Sequence, residues 1–237
     1  MFLLFSFFSM ASIAQPSATI NDPGAKMRTL SGSFSAITVS DGITLYLTEG
    51  DAESIAVGFS DQKFEERFKT VVEEGVLKIY YDGKGINWSN NSRRKLKAYV
   101  SFKTLQKLTA TGGADVIVPV AIHVDDFFMK FTSGTRFTGK VTAKDMEVIQ
   151  TSGSDIQISG SAQKINIESN SGASFKGYEF SVDYCVAKAT SGAGIRISIQ
   201  KELEAEANSG GAIHYKGNGV IKDININSGG VVKKSIK

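Results

Sequence analysis

The chain has 237 residues, and its 27 Lys+Arg against 24 Asp+Glu leave a net charge of +3, too small for a nucleic-acid footprint or a polybasic membrane patch. A hydrophobic share of 41% with 10% aromatics supports a real core and excludes a disordered chain. One Cys excludes a disulfide framework and a multi-Cys metal site, and two His leave little material for a zinc or catalytic imidazole centre.

Residues 1–14 read MFLLFSFFSMASIA. The apolar run is too short to span a bilayer as a helix. Ser12 and Ala14 supply small residues at the −3 and −1 positions of a cleavage site after Ala14, the pattern of a secretory signal peptide without its basic leader. The plainer alternative is a buried N-terminal strand. No Cys follows to carry a lipoprotein anchor, so an exported chain without a membrane span is expected, in the periplasm, on the outer surface or secreted. Residues 15–32 are polar, hold two of the three prolines, and read as a flexible lead.

One domain is expected over 33–237, irregular to 105 and regular from 106. Phe34–Leu47 reads as a first coil with its corner at Gly42. An excursion follows, because 71 residues separate Gly42 from Gly113. Within it Ile55–Phe59 is a strand and Asp61–Arg67 a short helical turn. Phe68–Glu73 and Val76–Tyr81 flank Glu74-Gly75, a two-residue hairpin signal. Asp82–Lys95 is a loop rich in Gly and Asn, and Lys97–Phe102 returns to strand.

From there a corner Gly recurs at 113, 134, 153, 172, 192, 210 and 229, with spacings of 21, 19, 19, 20, 18 and 19. Ser precedes six of these glycines, and Thr or Asn stands before that in most of them. Three residues after each Gly come Val116, Phe137, Ile156, Phe175, Ile195, Ile213 and Val232. Five before come Leu108, Met129, Val148, Ile167, Ala187, Ala205 and Ile224. All are apolar, and the residues between are mostly polar, so each repeat alternates with period two and holds half-buried strands. A unit of about 19 residues cannot bury its own apolar face, but a stack of such units can. The expected fold is therefore all-β: a right-handed parallel β-helix, or β-solenoid, with coils about 4.8 Å apart and an inserted hairpin excursion in its N-terminal half. Small corner residues would reject bulk from the coil above. The Thr/Asn column would form side-chain ladders along the stack. Lys233, Lys234 and Lys237 would protect the open end.

The segment from Asp41 to Asp51, the Glu-Gly turn before Val76-Leu77-Lys78-Ile79, and the repeated Thr-Ser-Gly-Ser-Asp and Asn-Ser-Gly-Ala steps together resemble the bacterial head GIN domain family, labelled an auto-transporter adhesin. The likeness runs from about Leu30 to Lys237, with Ile43-Thr44 where the name-giving pattern has Ile-Asn. It implies a β-helical fold related in shape to pectin lyases, an envelope or surface location, and no established catalytic residues.

Candidate chemistry is sparse. Asp115, Arg136 and Asp155 share the column two residues after the corner Gly, and a structural ion-pair ladder accounts for them without catalysis. A polysaccharide enzyme would need carboxylates converging on one face, and the columns show none. His123 and His214 fall in unrelated columns, and Cys185 reads as a small buried apolar residue. Residues 83–95 have binding character: Trp88 could stack on a sugar ring while Asn87, Arg93 and Arg94 supply donors. The plainer reading is a polar loop whose Trp covers one end. No catalytic residue, cofactor or metal is expected. The reading is an exported, non-enzymatic adhesion or interaction module of the cell surface or envelope, with a glycan or a surface protein as partner and no nucleic acid. The alternatives are a polysaccharide lyase or hydrolase on this scaffold, and a structural or sensing partner of another envelope protein.

Overall fold

The computed structural model describes residues 22–83 and 94–235. Strands dominate, and a single 3-10 turn, Gln62–Phe64, is capped by the Asp61 side chain, which accepts from the Lys63 N–H at 3.1 Å. The strands are β1 (Lys26–Arg28), β2 (Ala36–Val39), β3 (Thr44–Glu49), β4 (Ser54–Phe59), β5 (Phe68–Glu73), β6 (Val76–Tyr81), β7 (Leu96–Phe102) and β8 (Lys107–Ala110). They continue with β9 (Asp115–Phe131), β10 (Arg136–Gln150), β11 (Asp155–Ser169), β12 (Ser174–Ala189), β13 (Gly194–Ala207), β14 (Ala212–Lys216), β15 (Val220–Ile226) and β16 (Val231–Lys234). From β9 onward each coil lies parallel on the one before, with repeat partners in register: Phe137 opposes both Val116 and Ile156. The chain is a β-solenoid with coils of about 19 residues, as the repeat spacing requires.

Eight described corners share one turn, built on two consecutive left-handed residues. The first is Asp41, Gly112, or a Ser at 133, 152, 171, 191, 209 and 228, with φ between 47° and 62°; the second is always Gly, with φ between 69° and 75°. This is the pattern of a type I′ turn, closed for example by Ala193 N–H donating to the Thr190 carbonyl at 3.1 Å. The second-position glycines meet nothing within 4 Å where a Cβ would stand. The expected crowding at the corner glycine is therefore corrected: these corners face open space, and backbone conformation alone demands Gly there. Crowding sits one residue later. Ala114, Thr135, Ser154, Ala173 and Ala193 are buried, and a Cβ on Gly211 would lie 2.1 Å from the Ala189 carbonyl oxygen.

The ladder along the corner also differs from expectation. Thr and Asn side chains bond within their own turn, as Ser209 Oγ donating to Asn208 Oδ1 at 3.1 Å shows. The stack is joined by backbone instead: each corner Gly N–H donates to the carbonyl of the next corner, at 2.9 to 3.2 Å from Gly42 through Gly210.

The predicted apolar columns form the core. Val116, Phe137, Ile156, Phe175, Ile195 and Ile213 are all buried, as are Leu108, Met129, Val148, Ile167, Ala187 and Ala205. The last members are the exceptions: Val232 is half-buried and Ile224 is 38% exposed. With Ile221 and Ile226, Ile224 continues the inward columns of β13 on β15, on which no further strand pairs among the described residues. Lysines stand on both parts of this end, Lys222 on β15 and Lys233 and Lys234 on β16.

The excursion contributes a coil of its own. β6 lies parallel to β2, and β7 parallel to β3, so this pair stacks on the first coil on the side opposite β8 and β9. β5 then covers β6, and β4 covers β7, both antiparallel; the β5–β6 hairpin turns at Glu74-Gly75 as expected. Within the segment expected as a lead, Lys26–Arg28 adds β1 antiparallel to β4. Asp22 fastens this segment, accepting from Lys97 Nζ at 3.2 Å and the Tyr99 hydroxyl at 3.0 Å.

Two measurements check this account. Ile156→Ala should lower unfolding free energy by about 2–5 kcal/mol in chemical denaturation, as core truncations do. Gly192→Ala should cost about 1–2 kcal/mol through the left-handed backbone alone, whereas Ala193→Leu, at a buried position, should add overpacking of about 1–3 kcal/mol.

Candidate functional site

The expected loop site is only partly described, because Asn87, Trp88 and Arg93 lie outside the described residues. Arg94 is anchored to the first coil: Nη2 donates to the Asp41 carbonyl at 3.2 Å, and the guanidinium stands 3.9 Å from the Tyr81 ring centroid.

The Asp115–Arg136–Asp155 column exists, with Arg136 in register with both acids. Its pairing differs from the expected ladder. Arg136 Nη1 reaches Asp115 at 3.3 Å, while Asp155 is closed by Lys176 Nζ at 2.7 Å, a diagonal neighbour on the following coil. The cations are exposed and the two acids half-buried, so solvent still screens each pair to a contribution of about 0–1 kcal/mol. His123 binds Glu49 through its backbone N–H at 2.8 Å and its ring Nδ1 at 3.2 Å, on the surface. Cys185 is buried, and desolvation pushes its thiol pKa far up, away from any nucleophilic role.

The most developed concavity is a groove of about 590 Å³ running along the solenoid axis over β9 to β13. It arises where the strand alternation slips phase. In β10 both Lys144 and Asp145 face outward before Met146 turns in, and every coil repeats this step, so a trough follows the stack. Its floor is the buried column Phe127, Met146, Ile165 and Cys185. One wall is the register column Asp126, Asp145, Lys164, Tyr184 and Glu202, and the other is Phe128, Glu147, Asn166, Val186 and Glu204. Tyr184 is 39% and Val186 46% exposed. Phe128 and Tyr184 are three coils apart, about 14 Å at the strand spacing.

Column reasoning missed this groove because it treated the outward residues as a solvated face. The signal was present as outward Phe128, Tyr184 and Val186 at equivalent places in different coils. The expectation that no carboxylates converge is corrected as well: Asp126, Asp145, Glu147, Glu202 and Glu204 share the trough. Glu204 is tied to Lys222 Nζ at 2.8 Å. Among the described residues no three His, Cys, Asp or Glu stand close enough together to hold a metal ion. The trough offers aromatic faces, carboxylates and an amide to an extended ligand lying along the coils.

A parallel β-solenoid with a groove along its flank defines a class of repetitive, nearly all-β proteins. Residues 33–219 match the family described as "Putative auto-transporter adhesin, head GIN domain", and the chain belongs to that family. Its fold is similar to the crystal structure of a "putative adhesin" from Bacteroides fragilis NCTC 9343, with a TM-score of 0.78 and 15% identity over 89% of this chain and 96% of that one. It is also similar to a "putative lipid binding protein" from Parabacteroides distasonis ATCC 8503, with a TM-score of 0.63 and 21% identity over 91% and 98% of the two chains. A "putative adhesin" from Parabacteroides merdae ATCC 43184 gives a TM-score of 0.63 and 15% identity over the same shares. At these identities the likeness establishes the fold alone. No curated protein matches the chain.

Arg136→Ala should change unfolding free energy by less than about 0.5 kcal/mol, as exposed substitutions do. Comparing melting at low and high salt checks this, because the Asp115 pair should contribute only when the screening length is long.

Proposed function

We propose that the chain is an exported, non-enzymatic adhesion module of the cell envelope that holds an extended glycan along its flank. The groove carries this reading. It crosses five successive coils, so a linear polymer lying on it meets equivalent positions about every 4.8 Å. Tyr184 and Phe128 can each stack on a sugar ring through the ring face that Lys201 and Lys107 leave open, while the Asn166 amide donates to and accepts from hydroxyls and the wall carboxylates accept from them. The adhesin description of the family supports the same class of role. Residues 1–14 act as the signal peptide in this reading, and Asn87, Trp88, Arg93 and Arg94 add a further contact to the ligand.

A second reading has one observation in its favour. Asp145 and Glu147 stand two residues apart on opposite walls of the groove, and Asp126 lies in register with Asp145. A glycoside hydrolase needs two carboxyl groups flanking a bond. A glycan-array screen followed by incubation with the bound glycans separates the two. Adhesion predicts retention of uncleaved glycan, with Tyr184→Ala weakening it about fivefold to tenfold, on the order of 1 kcal/mol of stacking. Release of shortened products that stops in Asp145→Asn or Glu147→Gln would establish the enzyme instead.

A further inference from the structure

A separate flank carries a second, chemically different feature. Four residues after the corner Gly, successive coils place Lys176, Arg196, His214 and Lys233 in one register column: Lys176 opposes Arg196, Arg196 opposes His214, and His214 opposes Lys233. At the strand spacing this column is about 14 Å long. Among the described residues the side chains of Arg196, His214 and Lys233 make no hydrogen bond or ion pair, and Arg196 and Lys233 are exposed. The neighbouring cations are already engaged, Lys176 with Asp155 at 2.7 Å and Lys216 with Glu179 at 3.3 Å. The column continues toward the N-terminus as Gln157 and Thr138, an amide and a hydroxyl, and these residues line a shallow cleft of about 460 Å³ with Lys176 and Arg196.

We propose that this flank is a binding site for a linear acidic glycan, with carboxylate or sulfate groups on successive sugars set against Arg196, His214 and Lys233 and ring hydroxyls against Gln157 and Thr138. Three observations carry it. Donors without an internal partner are aligned along one line, and a fixed spacing suits a polymer with a regular charge repeat. Arg presents a planar fork that matches carboxylate and sulfate oxygens. The one aromatic in the cleft, Tyr178, has its face covered by Lys216 Nζ at 5.5 Å from the ring centroid and its hydroxyl bonded to Ser235 Oγ at 2.6 Å. A lone aromatic with its hydroxyl already bonded does not supply the run of platforms on which successive bases of a single-stranded nucleic acid stack. The site shares no residue with the groove on the other flank, so the two readings stand or fall separately.

The test is titration of the full chain with oligogalacturonate, a heparin oligosaccharide, a neutral maltodextrin of similar length and an oligothymidylate. The site predicts binding of at least one acidic glycan, weakened as salt rises, with the maltodextrin and the oligothymidylate at least tenfold weaker. The double variant Arg196→Gln/Lys233→Gln should lose affinity at least tenfold with an unchanged melting temperature. Lys130→Gln/Lys144→Gln, which removes the same charge elsewhere, and Tyr184→Ala should both leave it within twofold. Preference for oligogalacturonate would assign carboxylated glycans, and preference for heparin sulfated ones. The proposal is overturned if neither acidic glycan binds, if both charge variants lose affinity equally, or if the oligothymidylate binds as tightly as the glycans.

Discussion

Backbone hydrogen bonding between coils at a fixed spacing is the constraint on which the rest of this molecule depends. Every coil must return to the same place about 4.8 Å further along the axis. The corner achieves this with two consecutive left-handed residues, which lets the turning Gly N–H meet the next corner's carbonyl at 2.9 to 3.2 Å. Six corners place Ser in the first left-handed position, where an L-residue carries a steric cost. The Ser hydroxyl bonds the preceding Asn in the Asn170 and Asn208 corners, a local partner that offsets part of that cost. Once the corner is fixed, the inward columns follow, because alternation from a fixed start decides which side chains face in.

That dependence explains what could be read from the sequence. Seven corner glycines and two apolar columns were enough to identify the regular coils, since each column is sampled many times and an error in one coil is outvoted by the others. The cause of the corner's composition was not legible. Small residues imply either crowding or unusual backbone, and only coordinates separate the open space beside Gly192 from the 2.1 Å approach that a Cβ on Gly211 would make to the Ala189 carbonyl. The excursion was legible as strands and a hairpin but not as a coil. β6 and β7 pair with β2 and β3, which come earlier in the chain, and no repeat spacing marks that return.

The groove was hidden for a different reason. Inward positions are constrained by packing and therefore repeat, whereas outward positions vary freely from coil to coil. Phe128, Glu147, Asn166, Val186 and Glu204 occupy one outward column yet mix an aromatic, an amide, an aliphatic and two carboxylates. A solenoid thus separates two jobs: repetition of the inner columns maintains the scaffold, and variation of the outer columns builds surfaces at nearly fixed separations. The carboxylate-rich trough on one flank and the cationic column on the other share the same coils while differing in charge, so a chain with a net charge of only +3 presents two distinct faces.

The two ends of the stack obey different rules. At the N-terminal end β4 and β5 lie antiparallel on the outermost coil, and β1 lies antiparallel on β4, so the edge there does not present the hydrogen-bonding pattern of another parallel coil. At the other end β15 and β16 remain in the parallel pattern, and Ile221, Ile224 and Ile226 continue the core columns while 38% to 47% exposed. Polarity of the stack therefore follows from its edges. Reversed strands terminate the first coil, whereas at the last only charge opposes pairing, from Lys222 and Asp223 on β15 and from Lys233 and Lys234 on β16.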